Sequence, residues 1–158
     1  MAARLEYGKL APEGLERMRA LEHYLNAASG LERVLLDMVR LRASLMNGCE
    51  YCIALHTAEL KKQNETEERI AGLSDWRGVG GGSGGAYTQR ERAALAWTEA
   101  VTNIQDGHAP DAVYDELRAH FSDVETVNLT LAITTINAWN RLAISMGNYP
   151  GHAGAEAK

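Results

Sequence analysis

Apolar residues recur at intervals of three and four along most of this chain, which is the pattern of amphipathic α-helices. A helix is predicted from Pro12 to the break at Ser29-Gly30. The next, at about 32–46, is the clearest, with apolar positions at Val34, Leu35, Met38, Leu41 and Leu45. The same pattern predicts five more helices, at about 49–62, 66–73, 88–106, 110–121 and 122–146.

Helix ends are marked by local signals. Thr88-Gln89-Arg90-Glu91 and Ser122-Asp123-Val124-Glu125 are capping boxes that begin helices, and Asn47-Gly48 ends one. The last helix is apolar on nearly all sides, so we expect it to be central or shared with another subunit. No strand pattern occurs, and the prediction is therefore a single all-α helical bundle over residues 1–158. A glycine-rich stretch at 78–85 predicts a flexible loop, and the tail after residue 147 is expected to fray.

Composition narrows the function classes. The chain has 158 residues and a net charge of −5, so no basic surface favours nucleic acid or an anionic membrane. The first residues lack the apolar run of a signal peptide, and no run of about 18 apolar residues exists that could span a membrane. A cytoplasmic location is the expectation.

The only two cysteines, Cys49 and Cys52, stand three residues apart, and His56 follows four residues later. If this stretch begins a helix, all three side chains lie on one face. Cysteines at this spacing can reach disulfide distance, a helix N-terminus favours the thiolate, and an imidazole can exchange a proton near neutral pH. Two cysteines in a cytosolic chain indicate redox or metal chemistry rather than a structural disulfide framework.

The chain resembles the alkylhydroperoxidase-like (AhpD) branch of the carboxymuconolactone decarboxylase superfamily, over about residues 5–147. The resemblance is carried by Leu41-Arg42-Ala43-Ser44, by the cysteine motif with its histidine, by residues 90–97, and by Ile136-Asn137-Ala138-Trp139-Asn140-Arg141. It implies an all-helical fold, a homo-oligomer and no cofactor. It also implies reduction of hydroperoxides, with electrons from a dithiol donor protein.

Matched position by position, the resemblance assigns peroxide attack to Cys52, resolution to Cys49 and proton relay to His56. Asp37 stands where the family usually has a glutamate, twelve residues before the first cysteine. Aspartate is one methylene shorter, which reduces its reach to the thiols or to His56 and allows for a bridging water. Tyr51 replaces a histidine common in the better-characterised peroxidases, and the glycine-rich loop replaces a shorter link.

Other readings of these residues remain open. Cys49, Cys52, His56 and Asp37 could bind Zn²⁺, because thiolate, imidazole and carboxylate suit a tetrahedral site. The chain could instead be a non-catalytic oligomeric helical protein, with the thiols packed as small apolar groups, or a decarboxylase-like enzyme. Asp37 could also be a solvated helix residue paired with Arg33 or Arg40.

Overall fold

The structure is a computed structural model, which describes residues 4–78 and 85–147. All regular structure in these two ranges is helical, which confirms the all-α prediction. Most of the glycine-rich loop and the tail after 147 lie outside the described residues. The helices are α1 Tyr7–Leu10, α2 Pro12–Ala28, α3 Arg33–Asn47, α4 Glu50–Lys62, α5 Glu67–Gly72 with a 3₁₀ turn at Leu73–Asp75, α6 Gln89–Thr102, α7 Asp111–Arg118 and α8 Asp123–Met146.

The predicted helix starts agree with the structure where a side chain caps the helix. Thr88 and Ser122 each accept a hydrogen bond from the backbone N–H three residues on, and each forms a complete capping box. The sequence pattern did not predict the short helix α1. It also placed the ends of two helices too late, since α6 ends at Thr102 and α7 at Arg118. These ends lack a strong local stop signal at the residue where the helix ends.

Helix α3 lies at the centre of the bundle, in contact with α4, α6 and α8. Every residue from 35 to 41 is buried, so α3 is enclosed on all sides at its middle. The main core joins Leu36 and Val39 of α3 to Ala94 of α6 and to Leu129 and Ile133 of α8, all of them fully buried. None of the helices within 4–78 and 85–147 combines the length and apolar character needed to cross a bilayer.

Candidate functional site

The two cysteines lie at the junction between α3 and α4. Gly48 ends α3 in the left-handed conformation, with φ +70°, and Cys49 is the N-cap of α4 rather than part of the helix. Cys52 lies in the first turn of α4, and the two residues form a disulfide with Cα atoms 5.3 Å apart. Cys49 is fully buried, whereas Cys52 is 4% exposed and lines a cavity of about 380 Å³. Only Cys52 of the pair therefore faces the cavity.

His56 lines the same cavity one helical turn after Cys52. Its Nδ1 is 3.2 Å from Oδ1 of Asp37 on α3, and because an ionised carboxylate can only accept, the ring donates Nδ1–H to it. The contact is direct, and the shorter aspartate side chain needs no bridging water. The structure thus brings together the four residues singled out from the sequence, Cys49, Cys52, His56 and Asp37.

Asp37 is fully buried, and the reading of it as a solvated helix residue is wrong. Besides His56, its carboxylate accepts hydrogen bonds from Arg33 Nε at 3.1 Å, Arg40 Nη1 at 3.3 Å and Gln63 Nε2 at 2.7 Å. Burial alone would raise the pKa of this carboxyl, but the His56 hydrogen bond, the Arg40 charge and the remaining donors lower that pKa well below its usual range. Asp37 is therefore ionised throughout the physiological pH range.

Arg40 is the second buried charge of α3, with 1% exposure. Its Nη2 donates to Glu22 of α2 at 2.6 Å while Nη1 donates to Asp37. Its Nε has no hydrogen-bond partner in the part of the chain that the structure describes. Arg40 carries its positive charge between two carboxylates, which is how a fully buried guanidinium is tolerated.

Sequence reasoning missed three contributors to this site. Gln63 comes from the C-cap of α4 and Glu22 from α2, and both reach the Asp37–Arg40 pair only through helix packing. Arg40 was visible as a charge interrupting an apolar helix three residues after Asp37. Opposite charges at that spacing are usually a solvated surface pair, and for this reason the signal was not read as a site.

Apolar side chains form the rest of the cavity wall: Tyr51, Leu55, Ile136 and Trp139. Trp139 is half-buried and lines this cavity. Glu22, Asn26, Arg33 and Glu59 add polar groups to the lining. The cavity can therefore hold a small molecule with both an apolar part and a polar group.

The tetrahedral metal site does not fit this arrangement. The two sulfurs are joined in a disulfide, and the imidazole is hydrogen-bonded to the carboxylate. Within residues 4–78 and 85–147 no three His, Cys, Asp or Glu side chains are grouped as metal ligands. The geometry is that of a disulfide beside a hydrogen-bonded acid–imidazole pair.

The chain is similar to a known protein family and to known proteins over most of its length. The family model described as "Carboxymuconolactone decarboxylase family" matches residues 12–100. The uncharacterized protein YdfG of Bacillus subtilis is 38% identical over 94% of this chain and 97% of its own length. A crystal structure of an Agrobacterium tumefaciens protein of unknown function, suggested to be an antioxidant defence protein AhpD, has 41% identity and a TM-score of 0.85 over 94% of this chain and 99% of its own.

A more distant likeness shows the fold alone. An uncharacterized peroxidase-related protein from a Silicibacter species has 22% identity and a TM-score of 0.76, over 88% of this chain and 71% of its own. The helical arrangement is thus shared well beyond the range of close sequence similarity.

Proposed function

This chain belongs to the AhpD-like branch of the carboxymuconolactone decarboxylase family, and we propose that it is a thiol-dependent peroxidase that reduces hydroperoxides. The observation that carries the proposal is the position of Cys52. It faces a cavity shared with His56, while Cys49 lies bonded behind it, out of the cavity. An attacking sulfur with a protected partner is what a two-cysteine peroxidase requires.

In the proposed reaction the Cys52 thiolate attacks the terminal oxygen of the hydroperoxide. A sulfur–oxygen bond forms, the O–O bond breaks, and the leaving alkoxide takes a proton to become an alcohol. The Cys52 sulfenic acid then reacts with the Cys49 thiol, forming the disulfide and releasing water. A dithiol donor protein returns two electrons and two protons by thiol–disulfide exchange, and is itself oxidised to a disulfide.

His56 is the proposed proton carrier. Because Nδ1 donates to Asp37, the other ring nitrogen is the one that can take the Cys52 proton and return it to the alkoxide. Asp37 holds the ring in this orientation and stabilises its protonated form. Cys52 sits in the first turn of α4, where the positive end of the helix dipole favours a thiolate.

The substrate class and the location are proposed from the same site. Alkyl groups fit a wall built from Leu55, Ile136 and Trp139, so organic hydroperoxides are the proposed substrates. A disulfide that must be reduced in every cycle suits the reducing cytoplasm, which we propose as the site of action. The AhpD and antioxidant-defence description of the Agrobacterium protein supports the same role.

The proposal is tested by intact mass and free-thiol count before and after one equivalent of cumene hydroperoxide. We expect the reduced protein to become about 2 Da lighter and to lose both thiols, because an intramolecular disulfide forms. The Cys49→Ser variant is the matched control. It should instead gain about 16 Da, since Cys52 is oxidised but not resolved. Two free thiols and an unchanged mass in the wild type would end the proposal.

We further propose that the protein is a homo-oligomer joined through α8. Residues 126–140 carry no charge, although one side of this helix is open to solvent. Val124 and Val127 are 67% and 59% exposed. Six of the exposed or half-exposed positions repeat at alternating steps of three and four, which is the spacing of a helix–helix seam: Val124, Val127, Leu131, Thr134, Ala138 and Arg141.

This α8 seam is symmetric about its middle. In an antiparallel pair of α8 helices, Leu131 of one copy faces Thr134 of the other, and Val127 faces Ala138. The same register brings Arg141 of each copy to the acidic N-terminus of the other α8, near Asp123. Arg141 forms no ion pair with any residue that the structure describes. A two-fold dimer thus covers the apolar stripe.

We expect Leu131→Asp to break the oligomer, because two unpaired carboxylates would be buried at the centre of the seam. Sedimentation velocity on dilution should give a dissociation constant at least about 100-fold weaker than for the wild type. Leu10→Asp is the control, since Leu10 is 67% exposed on α1 and is not one of the seam positions of α8. Equal association of both variants would contradict the α8 seam.

A further inference from the structure

The turn that carries Cys49 is tied to α8 by side-chain amides. Asn47, the last residue of α3, donates Nδ2 to Asn137 Oδ1 at 2.8 Å and to Asn140 Oδ1 at 2.9 Å. Both acceptors are on α8 and are buried, Asn140 completely. An amide nitrogen has two hydrogens, so these two bonds use its full donor capacity.

The two acceptor amides are themselves held in one orientation. Asn137 donates Nδ2 to Thr102 Oγ1 of α6 at 3.0 Å, and Asn140 donates Nδ2 to Ser44 Oγ of α3 at 3.1 Å. Because each nitrogen is engaged elsewhere, each oxygen is left to accept from Asn47. The Asn47–Asn137–Asn140 network therefore joins α3, α6 and α8 next to the turn that carries Cys49.

The backbone leaves little distance between this network and the sulfur. Only Gly48 separates Asn47 from Cys49, and the Cys49 N–H donates to the Ser44 carbonyl at 3.1 Å. The Cys49 side chain packs in one buried cluster with Ala43 of α3 and with Ile136 and Ala143 of α8. The place of Cys49 relative to Cys52 thus depends on how the turn is attached to α8.

We propose that Asn47 and Asn140 are positioning residues for the cysteine pair: they hold Cys49 behind Cys52 and so set the equilibrium between dithiol and disulfide. The inference rests on the proposed function in that it takes the pair to cycle between these two states. Closing the disulfide joins the two sulfurs and removes two electrons and two protons, which an oxidant such as glutathione disulfide accepts while becoming two thiols.

The physical basis is effective concentration. In the disulfide, the covalent bond itself holds Cys49 near Cys52. In the dithiol, the Asn47–Asn137–Asn140 network holds Cys49 in the same position, so little freedom is lost when the bond forms. Without the network the reduced turn gains freedom, and the disulfide becomes easier to reduce.

The test is the reduction potential of the Cys49–Cys52 pair, measured by equilibrating the full chain in glutathione buffers and counting thiols by mass. Asn47→Asp keeps the shape of the side chain but places an acceptor against two oxygens. Asn140→Ala removes one acceptor and keeps Asn47, so it serves if the first variant fails to fold. We expect the equilibrium constant for disulfide formation to fall about 10-fold, which is about 30 mV for a two-electron couple.

Asn128→Ala is the matched control. Asn128 is also a buried asparagine of α8, but it donates to the Ser29 carbonyl and accepts from Tyr24, away from the cysteine turn. Its loss should lower stability and leave the potential unchanged. Equal potentials in all four proteins would overturn the inference, as would a shift in Asn128→Ala as large as in the other variants.

The measurement also separates this inference from the peroxidase proposal, because glutathione replaces the hydroperoxide. A shifted potential together with no reaction with cumene hydroperoxide would remove the peroxidase function and keep the positioning role. A normal peroxide reaction with unshifted potentials would keep the peroxidase function and remove the positioning role.

Discussion

Cys52→Ser should lower the second-order rate constant for cumene hydroperoxide reduction by on the order of 10³-fold or more. Serine keeps the size of the side chain, but its hydroxyl stays protonated near neutral pH and is a far weaker nucleophile. Stopped-flow fluorescence gives the constant directly, since Trp139 lines the same cavity as Cys52. The expected result is loss of the fast phase with an unchanged fold.

Cys49→Ser is the informative counterpart. Cys49 does not line the cavity, so its replacement should leave the first oxidation of Cys52 fast and stop only the closing of the disulfide. Turnover with a dithiol such as dithiothreitol would then slow, while the first burst remains. If Cys49→Ser removed the fast phase and Cys52→Ser kept it, the roles of the two cysteines would be reversed.

Asp37→Asn should destabilise the protein by about 3–5 kcal/mol, because it removes one of the two carboxylates that neutralise buried Arg40. It should also slow hydroperoxide reduction by about 100-fold, since His56 loses the charge that orients and stabilises its ring. Urea unfolding of the oxidised proteins measures the first effect, and stopped-flow kinetics measures the second.

Glu99→Gln is the control for this variant. Glu99 is a part-buried carboxylate that accepts from Arg42, Trp76 and Arg77, and it does not line the cavity. Its replacement should cost stability without slowing the reaction. Loss of stability in Asp37→Asn at full reaction rate would show that Asp37 is structural only.

The stability lost in Asp37→Asn should depend on pH in a defined direction. The folded state holds the pKa of Asp37 below its unfolded value of about 4, so the folded state binds fewer protons than the unfolded state. The carboxylate therefore contributes its full stability above about pH 5 and loses it as the pH falls through 4 and below. The gap between wild type and Asp37→Asn should narrow as the pH falls through that acidic range.

Local sequence was sufficient for most of the helices and for the thiol motif. The capping boxes at Thr88 and Ser122, the proline at the start of α2 and the glycine at the end of α3 act on backbone groups within a few residues. Cys49 and Cys52 are likewise close because they stand only three positions apart in the chain. For features of this kind, chain neighbours supply all the interacting groups, and for that reason they can be predicted without the fold.

Contacts between helices could not be predicted from chain neighbours. Apolar periodicity identifies the inner face of a helix. It does not determine how far the helix slides or rotates against its neighbour, so the positions of side-chain atoms stay undetermined by several ångströms. A hydrogen bond is lost over about half an ångström. The sequence by itself determined an all-helical protein with a cysteine pair and a histidine one turn apart. Only the tertiary structure decided that Asp37 meets His56 directly, that Glu22 and Gln63 join them, and that Asn47 is held by Asn140, because those distances depend on how packed helices dock.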